Sequence, residues 1–132
     1  MDKQLLCKQA IDAMNNAYAP YSDCCVGAAL LCADGSVFTG CNIENASFSA
    51  TVCAERTALF KAVSEGKREF VAIAVVGSKN GNIEGSFPPC GVCRQVLSEF
   101  CPPEMPVLFV KNETEYEQHT LGQLLPYSFD LR

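Results

Sequence analysis

Three cysteines and one glutamate carry the strongest chemical signal in this sequence. "TVCAERTALF", residues 51–60, sets Cys53 two positions before Glu55, and "PPCGVCRQVL", residues 88–97, sets Cys90 and Cys93 three apart. Cys90 and Cys93, at i and i+3 in the first turn of a helix, share a face and can hold one metal ion. Cys53 supplies a third thiolate from the start of a different helix. Helix N-termini carry partial positive charge, which lowers thiol pKa and favours metal binding. Three protein ligands around a tetrahedral zinc ion leave one position open for water, which marks catalytic rather than structural sites. Glu55 is then the candidate to move protons near that water. Residues i and i+2 do not share a helix face, so the pairing requires Cys53 at the first turn, pointing back.

Three thiolates leave such a centre formally negative, which weakens its power to acidify water. Arg56, adjacent to Glu55, is the candidate to hydrogen-bond a ligand sulfur and draw off that charge. Two alternatives stay open on spacing alone. C-x-x-C also suits a redox pair, although that reading leaves Cys53 and Glu55 unexplained. A closed four-cysteine zinc site would make Glu55 an ordinary helix-start carboxylate and Arg56 part of a solvated helix face.

The elements that must position these residues follow from hydrophobic periodicity. Residues 4–19 place Leu6, Ala10, Ala13 and Ala17 on one helical face, and Pro20 stops the run. "VGAALLCADGSVFTGCN" predicts two strands joined at Asp34-Gly35, a pair suited to a tight turn. A helix over 53–65 closes at Gly66. "FVAIAVVG", residues 70–77, is almost unbrokenly apolar, as expected of a strand covered on both faces. Residues 78–89 predict a loop. A helix from about Cys90 to Phe100 and the strand "PVLFVK" follow, then a weaker strand near Glu115–His119 and a short helix before Pro126. A hairpin followed by strand–helix alternation implies an α/β fold of three layers, α/β/α, with a mixed central sheet. No linker, charge block or repeat divides the chain, so residues 1–132 are expected to form one domain.

The bulk properties narrow the function. With 48% hydrophobic residues, the chain can build a core without crosslinks. A net charge of −5 disfavours a nucleic-acid partner. No stretch is apolar enough to span a bilayer and no basic-then-apolar leader is visible, so a soluble, cytoplasmic protein without a membrane partner is expected. Nine cysteines are an odd number and cannot all pair, which favours reduced thiols. Cys7, Cys32, Cys41 and Cys101 lie in or beside apolar runs and are expected in the core. His119, the one histidine, lies outside the motif region and is not expected to bind metal.

C-A-E followed by P-C-x-x-C resembles the zinc nucleoside and nucleobase deaminases in their three-cysteine form. The stretches "GCNIENASFS", "CAERTALFKAVSEG", "PCGVCRQVLSEF" and "LLPYSF" resemble, in order and spacing, the small homotetrameric zinc-dependent cytidine deaminases of pyrimidine salvage. The likeness spans about residues 5–129. It implies zinc on Cys53, Cys90 and Cys93, with Glu55 passing protons from water to ring N3 and then to the departing amino group. It further implies that Asn42 and Glu44 hydrogen-bond the ribose hydroxyls and that backbone groups of Ala54 and Pro88 meet the base edge. Phe129 would reach the base from a neighbouring subunit of a homotetramer. The implied reaction is hydrolytic deamination of cytidine and 2′-deoxycytidine.

The chain departs from the family in three places. Cys24 stands where an aromatic is usual, followed by Cys25 rather than proline. Pro88 replaces a small hydroxyl residue, and Tyr127 replaces a small one. None touches the expected zinc ligands or Glu55. A modified or different aminopyrimidine nucleoside therefore remains an alternative substrate, and a non-catalytic structural-zinc module remains the alternative to an enzyme.

Overall fold

The computed structural model describes residues 1–83, 85 and 87–132. In chain order the elements are α1 (Lys3–Met14), β1 (Cys24–Cys32), β2 (Val37–Cys41), α2 (Ala54–Ser64), β3 (Phe70–Lys79), β4 (Asn82–Ile83), α3 (Gly91–Phe100), β5 (Pro106–Val110), β6 (Tyr116–Thr120) and α4 (Leu121–Leu124). The strands form one sheet in the order β2-β1-β3-β5-β6, with β4 pairing the end of β3. Strands β3 and β5 are parallel and the other strand pairs among the described residues are antiparallel, so the sheet is mixed, as the sequence implied.

Central strand β3 explains its own apolar run. Ile73 and Val75 face a core shared with Ala58, Leu59, Ala62 and Leu97 of α2 and α3. Ala72, Ala74 and Val76 face the opposite core, with Leu6, Cys7 and Ala10 of α1. Alternate residues thus serve different layers, as a strand's period of two requires. Helix α1 covers one face of the sheet; α2 and α3 share the other. Short connectors join α2 to β3 and α3 to β5, so each helix runs back along the strand that follows it. Because β3 and β5 are parallel, both helices begin at the same edge of the sheet.

Four details differ from the sequence reading. Helix α1 ends at Met14, five residues before the expected boundary. There Asn15, Asn16 and Ala17 donate to carbonyls three residues back, and the Tyr18 amide leaves to join the Asn42 carbonyl at 3.0 Å. That contact with the segment after β2 outweighs the weak helix preference of Asn15-Asn16. Secondly, the expected loop 78–89 contains a hairpin. Asn80 and Gly81 both have positive φ, 52° and 83°, and turn the chain so that Asn82–Ile83 pairs with Ser78–Lys79. Asn-Gly is a strong hairpin signal that the turn-rich composition concealed. Thirdly, Cys41 is only half-buried, whereas Cys7, Cys32 and Cys101 are in the core. Lastly, β6 covers Tyr116–Thr120, one residue later than expected. No helix among the described residues is long and apolar enough to cross a membrane.

Candidate active site

Cys53 and Cys90 are not helical residues but the N-caps of α2 and α3, both with extended backbone. That placement removes the spacing difficulty. Cys53 lies outside the helix as its N-cap, while Glu55 belongs to the first turn of α2. Cys90 caps its own helix by accepting the Cys93 amide at 3.5 Å. With both helix starts at one sheet edge, the three sulfurs converge within 4.8 Å of one another. The Cys53 and Cys90 sulfurs are 3.7 Å apart. Zinc–sulfur bonds of about 2.3 Å in a tetrahedron put sulfurs about 3.8 Å apart, so the donor set fits zinc.

Electrostatics divides the three thiols. The Cys53 thiol is brought down to about 5, first by a hydrogen bond from Cys93, then by Arg56 and Cys90. The neighbouring Cys53 sulfur and burial push Cys93 strongly up, and metal binding to such thiols releases their protons. Arg56 Nη2 donates to Cys53 Sγ at 3.4 Å.

Glu55 is 3% exposed, and its Oε1 finds no hydrogen-bond partner among the described residues. Burial raises its pKa to about 7, and the neighbouring Cys53 charge adds to that rise. A buried carboxyl oxygen without a partner is costly to folding. Such a group is suited to receiving and returning a proton near neutral pH.

Gly40 of β2 sets how close α2 approaches. A Cβ there would overlap the Ala54 carbonyl and lie 2.5 Å from the Ala58 nitrogen. Beyond β2, Ile43 pairs with Val52 through two 3.0 Å backbone bonds, tying the Asn42–Glu44 segment to the residue before Cys53. Asn42 and Glu44 are both buried. Asn42 Oδ1 accepts from the Val26 amide and its Nδ2 donates to the Cys24 carbonyl, each at 2.8 Å. Glu44 accepts from the amides of Tyr21 and Ser22 and from the Ser22 hydroxyl. The N-x-E pair is therefore knitted into the segment leading to β1, with Cys24 beside it.

Ala54 is fully buried at the first turn of α2, and Pro88 is exposed ahead of Cys90. Phe129 is 68% exposed in the segment after α4. His119 lies on edge strand β6, bonded to Glu117 at 2.9 Å and away from the sulfurs.

Two residues escaped the sequence reading. Arg94 follows ligand-candidate Cys93 and donates to the carbonyls of Pro89 at 2.7 Å and Leu124 at 2.8 Å. It joins the loop before α3 to the end of α4. Its position next to the C-x-x-C motif was a usable signal. Ser22 had none, since its partner Glu44 is 22 residues away.

Residues 1–109 match the family profile described as the cytidine and deoxycytidylate deaminase zinc-binding region. The chain is 53% identical to a cytidine deaminase of Halalkalibacterium halodurans over 129 residues, 98% of this chain and 95% of that protein. A cytidine deaminase of Sporosarcina psychrophila is 50% identical over 98% of this chain and 92% of its own length. Among solved structures, the cytidine deaminase from Burkholderia pseudomallei superposes with a TM-score of 0.89 at 46% identity, covering 98% of this chain and 100% of that one.

Proposed function

The chain belongs to the cytidine deaminase family, and from this we propose that it hydrolytically deaminates cytidine and 2′-deoxycytidine to uridine and 2′-deoxyuridine, releasing ammonia. The observation that carries the reading is the convergence of three cysteine sulfurs beside a buried, unpartnered Glu55 oxygen.

In this reading Cys53, Cys90 and Cys93 hold zinc, and Arg56 offsets the charge of their thiolates. Zinc held by these three cysteines would supply Lewis acidity, which turns water into a nucleophile at neutral pH. Glu55 takes the proton that water gives up and delivers it to ring N3 as the new C4–O bond forms. Glu55 then carries the proton of the added hydroxyl to the amino nitrogen, the C4–N bond breaks, and ammonia leaves. One carboxyl thus serves as base and acid in turn. Asn42 and Glu44 hold the sugar hydroxyls, and the backbone of Ala54 and Pro88 meets the base edge.

Residues 1–132 act as one domain, a reading supported by two cores that share a single sheet. Phe129 serves the site of a neighbouring subunit in a homotetramer. Supporting this is a C-terminal segment that exposes Tyr127, Phe129 and Leu131, apolar surface that a partner copy would cover. Nine free cysteines favour a reducing, cytoplasmic setting, where salvage of pyrimidine nucleosides takes place.

The test is a time course of ammonia release by zinc-loaded protein from cytidine, deoxycytidine, 5-substituted cytidines, adenosine and cytosine, with Glu55→Ala alongside. Release from cytidine and deoxycytidine that disappears in Glu55→Ala is expected. Release from 5-substituted cytidines alone would keep the mechanism and move the substrate, pointing to the room left by half-exposed Cys24 next to Asn42. No release from any nucleoside, with zinc bound, would overturn the reading in favour of a structural zinc module.

A further inference from the structure

The buried pair Asn42 and Glu44 can be followed group by group to what remains free for a ligand. An ionised carboxylate offers about four lone-pair sites and no donor. Glu44 Oε1 uses both of its sites, on the amides of Tyr21 at 2.9 Å and Ser22 at 3.1 Å. Oε2 uses one, on the Ser22 hydroxyl. Asn42 has spent one N–H on the Cys24 carbonyl and one lone pair on the Val26 amide. The pair is left with one acceptor site on Glu44 and one donor and one acceptor on Asn42. That is a match for hydroxyl groups, which both donate and accept.

Ser22 decides where the free site on Glu44 points. Its single hydroxyl proton goes to Glu44 Oε2, while its oxygen accepts the Cys24 amide at 3.0 Å. The hydroxyl rotor is therefore fixed from both sides. Without it, Oε2 would have two open sites and the carboxylate could turn about its Oε1 anchor. The preceding turn is built to present this serine. Asp23 adopts a left-handed backbone, φ 58°, and donates its amide to the Ala19 carbonyl at 3.1 Å. The same contacts hold the Glu44 carboxyl below the usual carboxylate range, Ser22 being the largest cause, so that it stays an acceptor.

We propose that Ser22 is a positioning residue for sugar recognition: its hydroxyl orients Glu44 so that a single acceptor site faces the substrate's secondary hydroxyls. This rests on the reading that Glu44 binds the sugar. The Ser22 bonds go to Glu44 and Cys24, not to the expected metal ligands, so its influence should be confined to the sugar hydroxyls.

The test compares kcat/KM for cytidine and for 2′,3′-dideoxycytidine, which lacks both secondary hydroxyls, in the zinc-loaded wild type, Ser22→Ala, Ser22→Thr and Glu44→Gln. Zinc content and melting temperature are measured for each protein. In Ser22→Ala the cytidine-to-dideoxycytidine ratio should fall roughly fivefold, mainly through KM for cytidine, as one orienting hydrogen bond is lost. Ser22→Thr, which keeps the hydroxyl, should restore the ratio. If Ser22→Ala does not fold, Ser22→Cys, a weak donor of similar size, takes its place. Equal losses on both substrates would make Ser22 merely structural and overturn the proposal. Glu44→Gln separates the two ideas. A ratio that falls in Glu44→Gln but not in Ser22→Ala refutes the role of Ser22 alone, whereas a ratio unchanged in Glu44→Gln refutes sugar binding by Glu44 and the proposal with it.

Discussion

Gly40→Ala should damage the metal centre from a strand that contributes no ligand to it. The added Cβ would lie 2.5 Å from the Ala58 nitrogen and 3.0 Å from Thr57 Cβ. Ordinary non-bonded contact needs about 3.5 Å, so one element must yield by about 1 Å. Strand β2 is held to β1 through five register pairs, Gly27↔Cys41 to Leu31↔Val37. The start of α2 is held less firmly, since Cys53 makes no side-chain cap bond. The helix should therefore give way, carrying Cys53 and Glu55 away from Cys90 and Cys93. A displacement of that size spoils the 3.7 Å sulfur spacing that suits zinc. Misplacement by about 1 Å costs on the order of a hundredfold in rate, and overpacking costs about 1–3 kcal/mol of stability. Zinc affinity, measured by competition with a chromogenic chelator, should weaken by at least tenfold, and kcat for cytidine should fall with it. A Gly40→Ala protein that melts lower yet binds zinc and turns over like wild type would show that the strand yielded instead. The idea that Gly40 sets the position of the site would then be wrong.

Arg56→Gln removes the guanidinium from Cys53 Sγ; zinc should bind about 10–100-fold more weakly, and chelator competition showing unchanged affinity would rule out charge relief by Arg56. Arg94→Ala leaves the Pro89 and Leu124 carbonyls without their donor; a loss of about 1–3 kcal/mol is expected in denaturant melts, together with faster proteolysis after α4, and cleavage at the wild-type rate would mean the clamp does not hold that segment. Burial pushes the Cys7 thiol up to about 11 from an ordinary 9.0. The unfolded chain therefore loses this proton first as pH rises, so stability is fully present below pH 9 and is lost up to pH 11, by as much as ~3 kcal/mol. Melting temperatures between pH 8 and 11 should fall less steeply in Cys7→Ala; parallel slopes would exclude the thiol as the cause.

The three cysteines that could hold a metal ion, the glutamate near them and the α/β architecture were legible in the sequence because their signals are local. C-A-E and P-C-x-x-C occupy single helix starts, and hydrophobic periodicity reports the face each element buries. The end of α1 was not legible, because a backbone bond from Tyr18 to Asn42, made across the fold, decides it. The same holds for Asn42 and Glu44, which as a sequence could equally be polar loop residues. Their burial and their partners Tyr21, Ser22, Cys24 and Val26 exist only once β1 and β2 have paired.

The amino-acid sequence by itself thus determined which atoms are available for chemistry: three thiols, one carboxyl beside them, and an arginine within reach. Tertiary structure decided that these atoms meet. Short connectors from two helices into the parallel strands β3 and β5 bring both helix starts to one sheet edge, and the bare backbone of Gly40 lets α2 close on the sheet. Side-chain types follow from residues taken one at a time, whereas a separation of 3.7 Å between Cys53 and Cys90 depends on contacts made far apart along the chain.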